Sequence, residues 1–192
     1  MSKGENGDIK ILVFGLGNPA RQDDGLGPAF ISRLEKAKFP GLTLEADYQL
    51  QVEDALLFSE QQLVVLVDAL RSGRKPFIFK KIEPAEEASF TTHHLSPEAL
   101  LYLTQVLYER NPEVWLLGIR GYRFSLGEKL SPKARENFDQ AYKRFIKFLK
   151  IVTTSGLASA IIDFQSPTSS RGKKHGAKEK GIAGSGGYPR LK

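Results

Sequence analysis

Apolar residues recur along this chain in two alternating periods. Ile9-Lys-Ile-Leu-Val-Phe14 is a β-branched apolar run, and the stretch that follows Gly25 sets Leu26, Ala29, Phe30, Leu34 and Ala37 on one helical face. Pro40-Gly41 turns the chain into a short strand, Leu42-Thr-Leu-Glu-Ala46. Val52 to Phe58 then reads as a short helix with Ala55, Leu56 and Phe58 apolar. Leu63-Val-Val-Leu-Val67 is continuously apolar, as a strand buried on both faces must be, and Asp68 is expected to terminate it. Phe77-Ile-Phe79 and Val114-Trp-Leu-Leu-Gly-Ile119 are the next strands. Ser96-Pro97 and Ser131-Pro132 are helix starts, because serine caps free N–H groups and proline suits the first helical position. The first of these helices carries Leu100, Leu103 and Leu107 on one side. The second carries Ala134, Phe138, Ala141, Phe145, Phe148 and Leu149 inward. Ile151 to Phe164, broken by Gly156, either extends this last helix or packs as a terminal arm.

Strands alternating with helices predict an α/β fold, a three-layer α/β/α sandwich with a mostly parallel central sheet. The 192 residues and 41% hydrophobic content suffice for one domain with a substantial core, expected to span residues 1–165. Composition narrows the chemistry. The absence of cysteine excludes disulfides, zinc–thiolate sites and a cysteine nucleophile. No leader-like segment and no apolar run approaching ~18 residues is present, so a soluble, cytoplasmic protein without a membrane partner is expected. The net charge of +6 suggests nucleic acid until it is located. Residues 166–192 hold seven basic residues against Glu179 alone, leaving 21 of each sign in residues 1–165. The charge belongs to a basic, Gly/Ser/Lys-rich tail expected to be disordered, and no nucleic-acid partner is expected.

Candidate chemistry lies where strands end. Gly15-Leu-Gly-Asn-Pro-Ala-Arg-Gln-Asp-Asp-Gly-Leu-Gly27 joins the first strand to the first helix and puts Asp23 and Asp24 at the helix entrance. Two carboxylates there repel an anion, so this loop is a poor phosphate cradle. Ala20 stands where a third glycine would be needed, and the Lys-Ser/Thr pair of a P-loop is missing. One aspartate is expected to cap the helix, which leaves the other unexplained. Asp68 follows the most buried strand, and His93 and His94 precede a helix; the third histidine, His175, lies in the tail. Two carboxylates and an imidazole form an O/O/N set suited to a divalent ion such as Ni, Zn or Mn. They could equally position a water as general base and acid, or be nothing more than caps and surface histidines. No Gly-x-Ser-x-Gly elbow is present.

Taken together, Gly15-Leu16-Gly17-Asn18, Asp23-Asp24-Gly25-Leu26-Gly27, Asp68-Ala69 and His93-His94-Leu95-Ser96 resemble, in order and spacing, the NiFe-hydrogenase maturation endopeptidases over roughly residues 9–150. The resemblance implies a phosphorylase/hydrolase-like sandwich and a hydrolase that removes the C-terminal extension of a hydrogenase large-subunit precursor after nickel insertion. It places metal recognition on Asp24, Asp68 and His93, with Asp24 and Asp68 as catalytic carboxylates of an aspartyl-protease kind. His93 is preferred to His94 because the family pattern, His-x-Leu/Ile/Met and then a small residue or proline, fits His93-His94-Leu95-Ser96. The nickel is implied to be carried by the substrate. Three O/O/N ligands without a thiolate hold nickel weakly, and substrate cysteines would complete its shell. A monomer is expected.

Two alternatives accompany this reading. Gly15-Leu-Gly-Asn-Pro19 also resembles the opening of bacterial peptidyl-tRNA hydrolases, and a basic tail would suit RNA. That family continues with a Thr-Arg-His-Asn-like segment bearing its catalytic histidine, where this chain has Gln22-Asp23-Asp24-Gly25. Alternatively, the same three residues could bind metal without cutting, as in a non-catalytic metal-insertion chaperone.

Overall fold

The computed structural model describes residues 9–86 and 95–166. Five strands form the central sheet: β1 (Ile11–Leu16), β2 (Leu42–Asp47), β3 (Leu63–Leu70), β4 (Phe77–Ile82) and β5 (Glu113–Arg120). Their order is β2-β1-β3-β5-β4. The first four in that order run parallel, and β4 closes one edge antiparallel to β5. The helices are α1 (Leu26–Ala37), α2 (Asp54–Ser59), α3 (Pro97–Tyr108), α4 (Pro132–Ser155) and α5 (Leu157–Gln165).

Strand alternation sorts the core into two layers. Ile11, Val13, Leu63, Val65, Val67, Trp115, Leu117 and Ile119 face α1, α4 and α5, whereas Leu12, Phe14, Leu16, Val64, Leu66 and Val114 face α2 and α3. The expected three-layer α/β/α sandwich is what forms. In the first layer Phe30 of α1 meets Phe138, Tyr142 and Phe145 of α4 edge-on, with ring centroids 5.3–5.6 Å apart. Both serine caps form: Ser96 Oγ accepts from Ala99 N and Ser131 Oγ from Ala134 N.

Several expectations need correction. The first strand occupies Ile11–Leu16, not residues 9–14, and the short helix begins at Asp54 rather than Val52. Asp68 does not terminate β3, which continues to Leu70 because β5 extends beside it and pairs Asp68 with Gly118. Ala37, Leu56 and Leu107 are exposed, each lying off the stripe its helix buries. The stripe of α3 is completed by Leu101 and Thr104, and that of α1 by Ile31. After α4 the chain breaks at Gly156 (φ +82°) and returns as the separate helix α5. The Arg144 guanidinium holds α5 by donating to the carbonyls of Asp163, Phe164 and Ser166, and Phe164 packs on Phe79. No described helix is long and apolar enough to cross a membrane.

Candidate active site

The loop between β1 and α1 is shaped by glycines at which a side chain has no room. A Cβ on Gly27 would stand 2.2 Å from the Leu16 carbonyl oxygen and 2.5 Å from that of Val67, and one on Gly15 would stand 2.5 Å from the Gly27 oxygen. The start of α1 is therefore pressed directly onto the ends of β1 and β3. Gly17 adopts φ +123°, and a Cβ there would fall 2.0 Å from the Asp24 carbonyl oxygen. Asn18 completes the turn: its backbone N–H donates to Asp24 Oδ2 at 3.1 Å, while its side-chain Oδ1 accepts from Ala20 N at 2.9 Å. The Gly-x-Gly-Asn motif thus builds a tight turn that aims Asp24 at the strand ends.

Neither aspartate caps α1, contrary to expectation; its N-cap is Gly25, with no side-chain hydrogen bond. A short 3₁₀ turn, Gln22–Gly25, turns the two carboxylates in different directions. Asp23 is fully buried. Its Oδ2 accepts from Tyr122 N, Arg123 N and Ser131 Oγ, and its Oδ1 from Ser131 N, all at 2.6–2.8 Å. Burial alone would push this carboxyl up, but those hydrogen bonds outweigh it and hold Asp23 below the ordinary carboxylate value. The residue is a structural anchor between the β1–α1 loop and the β5–α4 loop, a role the sequence concealed because all three partners lie about a hundred residues away.

Asp24 remains half-buried and open to the strand ends, its side chain 25% exposed. Asp68 projects from the last third of the adjacent strand β3, on the same face as Val64 and Leu66. Burial raises the Asp68 carboxyl to about 6, helped by the negative charge of Asp24 and opposed by the Ala69 N–H and the charge of Arg71. The fold thus brings Asp24, in the turn entering α1, and Asp68, in β3, within electrostatic reach of each other. A partly ionised carboxyl beside a second carboxylate can exchange a proton near neutral pH, and the pair attracts a cation, which relieves the mutual repulsion.

His93 and His94 lie outside the described residues. Among the described residues no third His, Cys, Asp or Glu joins the pair. α3, which the histidine segment precedes in sequence, packs on the same sheet face as Asp68.

Two site residues escaped the sequence reading. Arg71 lies just beyond β3, with Nη2 4.0 Å from Asp24 Oδ1 and its guanidinium carbon 4.3 Å from the Phe124 ring centroid. A basic residue three positions after a strand-end acid was the available signal for Arg71; Phe124, in the distant β5–α4 loop, left none. A groove of about 680 Å³ between β4, α4 and α5 lies apart from the carboxylate pair. Its Arg144 and Lys147 are already paired with Asp163.

No family model matches the chain. A relative from Methanocaldococcus jannaschii, described as a "putative hydrogenase maturation protease", is 27% identical over 150 residues, spanning 72% of this chain and 93% of its own. Among solved structures, the NiFe hydrogenase maturation protease HycI from Thermococcus kodakarensis superposes with a TM-score of 0.59 at 23% identity, over 76% of this chain and 95% of that one. The hydrogenase maturating endopeptidase HybD from E. coli gives 0.59 at 18% identity, over 77% and 94%. The chain therefore has the fold of these two solved structures, and its sequence is similar to that of the Methanocaldococcus jannaschii relative.

Proposed function

We propose that this protein is an endopeptidase that removes the C-terminal extension of a NiFe-hydrogenase large-subunit precursor once nickel has been inserted. The observation that carries this reading is that Asp24, in the turn entering α1, and Asp68, in the last third of β3, lie close enough that the charge of one raises the other. Its support from relatives is the similarity to the Methanocaldococcus jannaschii protein, which spans nearly all of that protein.

In this reading nickel is part of the substrate. Asp24 and Asp68 supply two oxygen ligands, His93 supplies a nitrogen, and the precursor supplies the rest of the shell. Contact with the metal aligns the scissile bond over the strand ends, and such positioning can lower a barrier by several kcal/mol. Asp68 has a second task in this reading. A carboxyl titrating near 6 can take a proton from the attacking water and pass it to the leaving amine. Asp23 touches neither metal nor peptide; its hydrogen bonds keep the turn that carries Asp24 in place.

The test is incubation of the protein with nickel-loaded and nickel-free precursor, followed by mass spectrometry. Loss of a C-terminal peptide from the loaded precursor alone is expected. An uncut but metal-loaded precursor would assign the same residues to a chaperone. Efficient cleavage of the nickel-free form would make the pair an ordinary water-activating site.

A further inference from the structure

Arg71 does not fit a simple cation site. The guanidinium beside Asp24 and Asp68 cannot lose its proton, so it is a permanent positive charge where a divalent ion is to arrive. Its contribution to folding is small, because the pair with Asp24 spans 4.0 Å and the Arg71 side chain is 65% exposed. Its position is nevertheless defined. The guanidinium lies over the Phe124 ring, and the Phe124 carbonyl accepts from Arg21 Nη2 at 3.2 Å. Arg21 belongs to the same turn as Asp24, and Asp23 ties that turn to Tyr122, Arg123 and Ser131 around Phe124. Two loops, β1–α1 and β5–α4, therefore hold one cation against the carboxylates.

We propose that Arg71 is a charge gate, a specificity-determining residue that makes the Asp24–Asp68 pair select a metal centre by its net charge. This inference rests on the carboxylate pair being the metal-reading site. A bare divalent ion entering the pair meets both attraction from the carboxylates and repulsion from Arg71. A metal whose own thiolate ligands have made it neutral or anionic meets no such repulsion, and the guanidinium can donate to those ligands. The gate thus refuses free metal and admits metal already held by a substrate.

The test uses the full-length protein, Arg71→Gln, Arg71→Lys and Asp24→Asn. Nickel alone is titrated calorimetrically, and nickel-loaded precursor is used for steady-state processing. Removing a unit charge about 5 Å from a divalent ion in a water-like dielectric changes affinity about tenfold. Arg71→Gln is therefore expected to bind free nickel about tenfold more tightly than the wild type. It should also show a raised KM for loaded precursor with little change in kcat. Arg71→Lys, which keeps the charge, should return both values toward wild type, and Asp24→Asn should lose nickel binding. If Asp24→Asn abolishes nickel binding while Arg71→Gln binds no more tightly, or leaves KM unchanged, the gate is refuted and the cation site stands. Nickel binding that ignores Asp24 in every variant overturns the site and the gate together. Failure of precursor processing alone refutes the proposed protease function, and the nickel titration still decides whether Arg71 repels free metal.

Discussion

Ser131 and Asp23 are joined twice: the Ser131 backbone N–H donates to Asp23 Oδ1 at 2.6 Å and its hydroxyl to Asp23 Oδ2 at 2.7 Å. The same hydroxyl accepts from Ala134 N, so one serine both caps α4 and fastens the β1–α1 loop to it. Two neighbouring aspartates thereby acquire separate tasks, Asp23 holding the loop and Asp24 facing the strand ends.

Replacing each aspartate should separate those tasks. Asp23→Asn sets an amide NH2 group against backbone N–H donors that now point at a carboxylate, leaving buried donors unpaired. A loss of about 3 kcal/mol is expected in urea denaturation. Asp24→Asn keeps an acceptor for Asn18 N and gives up only a loose, solvent-screened pair, so its stability should stay within about 1 kcal/mol of wild type. Processing should nevertheless be abolished in Asp24→Asn. Near-normal cleavage by this variant would leave its charge without a function.

Asp68 should cost stability when it ionises. Its carboxyl titrates near 6 in the folded protein against an ordinary value of 3.8, so the folded state binds the proton more tightly than the unfolded chain. The stability this group contributes is therefore complete below pH ~4 and is lost as pH rises to ~6. Asp68→Asn cannot ionise. It should be more stable than wild type at pH 7 by up to about 3 kcal/mol, with the advantage vanishing below pH ~4. Denaturation curves at the two pH values check this, and the stabilised variant should be inactive. In the wild type, processing should decline as pH falls through 6, where protons compete with the metal for Asp68.

Gly27→Ala should move α1 off the sheet. Its added methyl group meets the Leu16 and Val67 carbonyl oxygens, both backbone atoms that cannot swing aside. Overpacking at such a point is expected to cost about 3 kcal/mol, visible as a lowered Tm, and to reduce processing even at temperatures where the variant stays folded. An unchanged Tm would mean that the contact between helix and strand ends is looser than the carbonyl positions imply.

The adjacent histidines should differ. If His93 supplies the nitrogen ligand, His93→Ala loses processing of loaded precursor while His94→Ala retains it. The reverse result transfers the role to His94, and two active variants would remove imidazole from the site.

Much of the architecture was legible because it depends on local rules. Apolar periodicity located the sheet and its covering helices, and Ser96-Pro97 and Ser131-Pro132 marked helix starts that need only neighbouring N–H groups. Asp24, in the loop after the first strand, and Asp68, after an apolar run, were likewise visible as candidate acids. The residues by themselves therefore determined the fold class and singled out Asp24 and Asp68 as candidates. What they left undecided depends on segments distant in the chain. Asp23 could not be told from Asp24, either of them a candidate helix cap, until Tyr122, Arg123 and Ser131 were folded against it. Asp68 looked like a strand terminator until β5 extended the ladder beside it. Arg71 drew no notice until the fold set it between Phe124 and the carboxylates. Local pattern selects secondary structure because backbone hydrogen bonds and side-chain periodicity act over a few residues. A carboxylate's role is set by charges and donors brought to it through space, and only the tertiary structure chooses those neighbours.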